Sequence, residues 1–322
     1  MRTDDFALLR EILLEPSPQN WDNLLALFRK WPRDTLPEGL DYAEAHLPSW
    51  PVYFRRYPQM PLEGLLRFSA SWMVHRLAVS LYLASMDIGD EGAIALAESD
   101  SLGRLEELIL TDNGIGIEGI FELAQSEALC ELKNLCLRGN YVGDQGVTAI
   151  AESNVLTELR SLFLGGPISA DGMWPLATSE TLSQLERLEL GGNHIGDEGV
   201  QAISQSTTLK SLRKLHLDNC GVGVVGAAAL ASAPCLRHLQ SLNLSYNVFG
   251  DEGAFFLANS PFFKKVSELT LIDCEITDGG VEILLKAFKK LKLLNLEGNL
   301  LSEEGEERLE AISAERGFAL YL

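Results

Sequence analysis

The sequence has few of the features that membrane-spanning, disulfide-bonded or catalytic proteins need. It has no run of 18 apolar residues, and its five cysteines form no CxxC pair, so we expect no membrane span, disulfide framework or zinc site. No phosphate-binding glycine loop, nucleophile elbow or HExxH motif occurs, and the five histidines occupy unrelated positions. Nor does a basic, apolar leader open the chain. We therefore expect a cytoplasmic protein that is not an enzyme and uses no metal or cofactor.

Positive charge is also scarce, because the net charge is -20. Residues 1–76 contain 9 Lys and Arg against 10 Asp and Glu, which leaves 17 bases and 36 acids for the rest of the chain. Such a field repels phosphate backbones, so we expect neither nucleic acid nor a membrane as partner. Basic or mixed-charge protein surfaces fit this charge better.

Leucine is abundant, and it recurs at a regular spacing. The pattern Leu108-x-Leu110-x-x-Asn113 returns 27 residues later as Leu135-x-Leu137-x-x-Asn140. Nine copies have their first strand leucine at Leu81, Leu108, Leu135, Leu162, Leu188, Leu215, Leu242, Leu269 and Leu294. A unit of this length holds one short strand, one helix and two turns, and it cannot bury its apolar face alone. The copies must therefore stack into a solenoid.

This pattern closely resembles leucine-rich repeats of the ribonuclease-inhibitor-like class, which includes the repeats of NOD-like receptors and of the GTPase-activating protein of Ran. The resemblance covers about residues 77–318. It implies an α/β horseshoe with a parallel concave sheet and convex helices. It also implies that Asn113 and its equivalents, with Cys220 and Cys274 in two copies, turn inward to bond the backbone of adjacent coils.

Acidic residues recur at the start of the predicted helices, as in Gly196-Asp197-Glu198-Gly199. Their recurrence once per repeat favours helix capping over catalysis, and we expect Asp197 to cap its own helix. The fourth repeat is irregular, since it lacks the Asn and contains Pro167, Trp174 and Pro175. We expect Trp174 to pack on a neighbouring coil, although a solvent-facing anchor is the alternative.

Residues 1–76 show no repeat, and their apolar spacing predicts a small helical module. This module loosely resembles a bacterial domain that accompanies repeats; the alternative is a cap over Leu81 and Leu83. We expect its tryptophans, Trp21, Trp31, Trp50 and Trp72, to form its core. Residues 77–322 form the repeat domain, and we expect the apolar tail after Gly317 to seal its last edge.

The outward positions of the sheet are the candidate binding surface, because packing leaves them free to vary. The predicted partner-binding residues are Tyr82, Ile109, Arg138, Phe163, Arg187, Glu189, Lys214, His216, Asp218, Asn243 and Tyr246. The alternative is that the N-terminal module covers Tyr82 and Ile109. We expect a monomeric interaction scaffold for a protein partner; regulation of a small GTPase, and a secreted effector or sensor component, are the other hypotheses.

Overall fold

Each repeat contributes one short strand to a single parallel sheet. The computed structural model describes residues 2–32, 35–52, 55–56, 77–99 and 102–322. Ten strands follow one another in chain order across the sheet. They are β1 (Ser80–Tyr82), β2 (Glu107–Ile109), β3 (Asn134–Leu137), β4 (Ser161–Leu164), β5 (Arg187–Glu189), β6 (Lys214–His216), β7 (Ser241–Asn243), β8 (Glu268–Thr270), β9 (Leu293–Asn295) and β10 (Ala319–Tyr321).

The strand leucines lie side by side in one row. Leu108 pairs with Leu81 on one side and with Leu135 on the other, and this register continues to Leu294. All nine of these leucines are at most 2% exposed. The predicted α/β solenoid of nine repeats is therefore confirmed.

A helix follows each of the first nine strands and closes the core. The repeat helices are Gly89–Ala97, Ile117–Gln125, Gly143–Ala151, Ala170–Thr178, Gly196–Ser204, Val224–Ala231, Gly250–Ala258, Asp278–Ala287 and Glu303–Arg316. The first eight pack against one another in chain order. Val200 and Ile203 of repeat 5 are fully buried, and each such side chain contributes about 1.5–3 kcal/mol of burial free energy.

The turns that follow β2, β3 and β5 to β9 are held by an inward-turned Asn or Cys side chain, as the resemblance implied. The Asn113 amide donates to the Leu83 carbonyl at 2.8 Å, and its oxygen accepts from the Met86 amide at 3.0 Å. Matching bonds are made by Asn140, Asn193, Asn247 and Asn299. The thiols of Cys220 and Cys274 donate to carbonyls of the preceding repeat at 3.2 and 3.3 Å.

The prediction that Asp197 caps its own helix is wrong. The residue before that helix is Ile195, and no side chain caps the helix. Gly196 has a φ of +55°, so the chain enters the helix through a left-handed turn and Asp197 lies inside the first turn. Its Oδ1 accepts from the Gly223 and Gly226 amides of repeat 6, at 2.6 and 2.9 Å. Bonds to the next repeat are likewise made by Asp90, Asp144, Asp251 and Asp278.

Repeat 4 also differs from expectation at Trp174. This side chain is 47% exposed on the helix Ala170–Thr178, so it faces solvent rather than being buried against a neighbouring coil as predicted. Its position in the helix explains the outcome. Met173 and Leu176 fill the buried stripe of the same helix, and the Trp174 side chain falls outside that stripe.

In the described part of the N-terminal region, α-helices lie at Arg2–Leu14, Pro18–Lys30 and Leu36–His46. Trp21, Trp31 and Trp50 are 3–6% exposed, which confirms that they are core residues; Trp72 lies outside the described residues. Arg56 forms a parallel bridge to Ser80 at the first edge of the sheet.

At the other end of the sheet, β10 pairs in parallel with β9. The apolar tail therefore lies on the last repeat strand, and β10 becomes the final strand of the sheet. It satisfies backbone groups that an open edge would leave unpaired.

Candidate functional site

The outward side chains of the strands form ordered rows on the sheet face opposite the helices. The register places Tyr82, Ile109, Cys136, Phe163, Glu189, His216, Asn243, Thr270 and Asn295 in one row. Neighbouring members therefore lie about 5 Å apart. Repeats distant in sequence thus present their side chains to one surface.

Glu189 is the centre of a polar cluster on this surface. The residue is 4% exposed, and its Oε1 accepts from Arg187 Nε at 2.7 Å and lies 3.2 Å from His216 Nδ1. Arg138 Nη1, two repeats earlier, lies 3.3 Å from the other oxygen, Oε2. Four predicted site residues from β5, β6 and the turn after β3 thus meet at one carboxylate.

These contacts keep Glu189 ionised. Burial acts to raise its pKa, but hydrogen bonds from His216 and Arg187, together with the Arg187 charge, outweigh burial and lower the pKa below the ordinary value. The arginines remain 47% and 37% exposed at their side chains. One buried carboxylate therefore holds two guanidinium groups at the surface, where they retain donors for another group.

Phe163 completes this cluster, because the Arg187 guanidinium carbon lies 4.8 Å above its ring centroid. The ring and Glu189 together restrict the orientation of Arg187.

Two glycines, Gly165 and Gly191, follow the neighbouring strands β4 and β5 beside this cluster. A Cβ at Gly165 would lie 2.8 Å from the Gly139 nitrogen, and one at Gly191 would collide with the Asp218 carboxylate. Gly165 therefore lies against Arg138 and Gly191 against Asp218, and neither position has room for a side chain.

The predicted residues of repeats 6 and 7 form a second group. Asn243 donates to Asp218 Oδ1 at 3.1 Å and accepts from the Ser245 hydroxyl at 2.7 Å. Tyr246 is 52% exposed with a φ of +58°, and Lys214 lies beside Arg187 in the strand register. This group borders the Glu189 cluster through His216, the strand neighbour of Asn243.

Tyr82 and Ile109 lie at the first edge of the sheet, away from the Glu189 cluster. Tyr82 remains 47% exposed, so it is partly covered. The Arg56 guanidinium carbon lies 5.8 Å from its ring centroid. Ile109 is half-buried.

The cluster offers ion pairing and hydrogen bonding rather than a visible reaction centre. Among the described residues, no Ser, Thr or Cys side chain hydrogen-bonds to His216, and no three His, Cys, Asp or Glu side chains are placed to hold a metal. The described helices include none with the length and apolar character to cross a membrane.

A family model described as "Leucine Rich repeat" matches residues 79–97, 105–124, 182–204, 208–231 and 235–258. These segments are therefore similar to leucine-rich repeats. Repeats 3, 4, 8 and 9 lie outside the matched residues, yet their strands continue the same parallel register. Leucine-rich repeats generally mediate protein–protein interactions. No curated protein matches the chain in a sequence comparison.

Two features of this leucine-rich repeat surface escaped the sequence analysis. Arg56, beside Tyr82, lies outside the repeats, so aligning repeat copies carries no information about its position. The close packing at Gly165 and Gly191 had a readable signal, because both glycines occupy the same aligned position in consecutive repeats. Only a residue without a side chain fits beside the neighbouring groups there.

Proposed function

We propose that this protein is a non-enzymatic scaffold of the ribonuclease-inhibitor-like class that binds a protein partner on the open, concave sheet face. The observation that carries the proposal is the buried Glu189 carboxylate, which holds Arg138, Arg187 and His216 on that face. Its desolvation costs free energy that three donors offset. A surface ordered in this way before binding loses less entropy when a partner docks.

The cluster also defines the chemistry of the contact. Arg138 and Arg187 carry two positive charges against the one negative charge of Glu189, so an anionic group of the partner fits beside these two exposed guanidinium groups, on the side away from Asp218. Phe163 and Tyr246 supply aromatic surface to either side. Residues 1–76 cap the repeat domain at 77–322 in this proposal.

Affinity capture from the native organism, read by mass spectrometry, tests the proposal. The Phe163→Ala/Tyr246→Ala variant should lose the proteins that the unaltered chain captures. The matched control is Trp174→Ala/Phe255→Ala, which removes two exposed aromatics from helices on the other side of the molecule and should capture the same proteins. Unchanged capture by the folded Phe163→Ala/Tyr246→Ala variant would refute a partner site on the open sheet face.

A further inference from the structure

The edge of the sheet where strands β6 to β9 begin is strongly basic, although the chain carries a net charge of -20. The loops that lead from helix to strand, with the strand itself, span residues 205–217, 232–244, 259–271 and 288–296 in repeats 6 to 9. Within them, one acid, Glu268, stands against nine bases. We call these bases the basic edge: Lys210, Arg213, Lys214, Arg237, Lys264, Lys265, Lys289, Lys290 and Lys292.

Backbone hydrogen bonds hold the four loops in contact. The Gln240 amide donates to the Arg213 carbonyl at 2.7 Å, the Ser267 amide to the Gln240 carbonyl at 2.8 Å, and the Lys292 amide to the Ser267 carbonyl at 2.7 Å. Successive loops therefore lie about 5 Å apart, and the basic edge extends over roughly 15 Å. An extended peptide of about five residues has that length.

The basic edge is exposed and mostly unpaired. All of its side chains are exposed except Lys214, which is half-buried. Of these nine bases, only Arg213 has a side-chain nitrogen within 4 Å of a carboxylate in the described part of the chain, at 3.5 Å from Glu186. The positive charge of this edge lowers the pKa of His238. Lys265 contributes most to the shift, and Arg237 and Arg213 also contribute.

The negative charge of repeats 6 to 9 lies mainly at the opposite edge, where strands end and helices begin. The acidic residues at that edge are Asp218, Asp251, Glu252, Asp273, Glu275, Asp278, Glu297, Glu303 and Glu304. Salt screens exposed charges over about 8–10 Å, so a ligand at the basic edge experiences mainly the nearby bases.

We propose that the basic edge of repeats 6 to 9 binds an acidic segment of a protein partner in extended form. The length of the edge favours a short peptide over a nucleic acid, because a long polyanion would continue past the edge onto the carboxylates of this acidic chain. Lys214, which pairs with Arg187 in the strand register, joins this surface to the Glu189 cluster. The lysines at 264, 265, 289 and 290 belong to repeats 8 and 9, two or more repeats from that cluster, so substituting them tests the basic edge independently of the proposed partner site.

Fluorescence anisotropy with labelled octaglutamate and the full chain at low salt tests the proposal. Lys264→Gln/Lys265→Gln and Lys289→Gln/Lys290→Gln should each raise the Kd roughly 2- to 30-fold, since each lost surface pair contributes modestly. The control, Lys286→Gln/Arg308→Gln, removes the same charge from exposed helix positions and should leave the Kd within about twofold. Circular dichroism establishes that each variant is folded.

Three results would overturn the proposal. The first is no binding of octaglutamate at low salt. The second is an equal rise in Kd for the edge variants and the Lys286→Gln/Arg308→Gln control, which would indicate a response to net charge alone. The third is tighter binding of a thymidine dodecamer or of phosphatidylglycerol vesicles than of octaglutamate, which would assign the edge to a different class of ligand.

Discussion

Replacing Asp197 by alanine should weaken the junction between repeats 5 and 6 rather than the helix to which Asp197 belongs. Its Oδ1 accepts from the Gly223 and Gly226 amides at 2.6 and 2.9 Å, and both donors begin the helix of repeat 6. The first amides of a helix have no partner within the helix. Removing the carboxylate therefore leaves those two amides to water.

The magnitude follows from the number and charge of the bonds. Loss of a capping side chain costs about 0.5–2 kcal/mol, and bonds to a charged acceptor lie in the upper part of the range for hydrogen bonds. Because Asp197 is partly exposed, water offsets part of the loss, and we expect the free energy of unfolding to fall by about 1–2 kcal/mol. Local opening at Gly226 should become roughly 5- to 30-fold more frequent.

Amide hydrogen exchange shows directly whether the substitution affects the start of the repeat 6 helix or the start of the repeat 5 helix, to which Asp197 belongs. In Asp197→Ala, protection should fall at Gly223 and Gly226 and stay unchanged at Gly199 and Val200. Glu198→Ala is the control, because it removes an adjacent exposed acid from the same first turn and should change stability by less than about 0.5 kcal/mol. Lost protection at Gly199 and Val200, with Gly226 still protected, would refute the inter-repeat assignment.

Three further results are expected. Because the pKa of Glu189 is lower in the folded than in the unfolded protein, its ionised form stabilises the fold at pH values above the unfolded pKa, and this stabilisation is lost as pH falls through the folded pKa. In urea unfolding, Glu189→Gln should therefore have a lower free energy of unfolding than the unaltered protein near neutral pH, and the difference should shrink in acid. Burial raises the pKa of Cys220 and Cys274 to about 12 and that of Cys235 to about 11, so Ellman's reagent should modify exposed Cys130 in the native protein and these three only after unfolding. Gly196→Ala should cost about 1–2 kcal/mol in urea unfolding, because its φ is +55°, whereas the aligned Gly223→Ala, at a φ of -98°, should cost less than half as much.

Much of the fold could be predicted because a repeat constrains each position several times. Leu188 is buried in the same environment as Leu162 and Leu215, so the spacing alone reveals its packing. Asp197 was harder, since its bonds depend on a left-handed turn at Gly196 and on the loop of the following repeat. A pattern of residue types contains neither the backbone dihedral nor the distance to the next coil.

The part of the candidate site that could be predicted is the order of the outward side chains along the rows of the sheet. Aligning the repeats places Phe163, Glu189 and His216 side by side, and the register agrees. The contact between Arg138 and Glu189 was not predictable, because it crosses from repeat 3 to repeat 5 over the glycine at 165. Long side chains reach beyond nearest neighbours, and their rotamers are set by the charges they meet.

The helix entries give the first eight repeats a period of two that the leucine spacing does not reveal. Repeats 1, 3, 5 and 7 enter their helices through a glycine with positive φ, at Gly89, Gly143, Gly196 and Gly250. Repeats 2, 4, 6 and 8 enter through an extended residue whose amide bonds to an aspartate of the preceding repeat: Gly116, Ser169, Gly223 and Thr277. An odd repeat therefore supplies an aspartate acceptor for the first amides of the following even helix, to which Ser169 and Thr277 add side-chain caps of their own. The helix entry of an even repeat thus depends on the repeat before it, which is why it cannot be understood from its own residues alone.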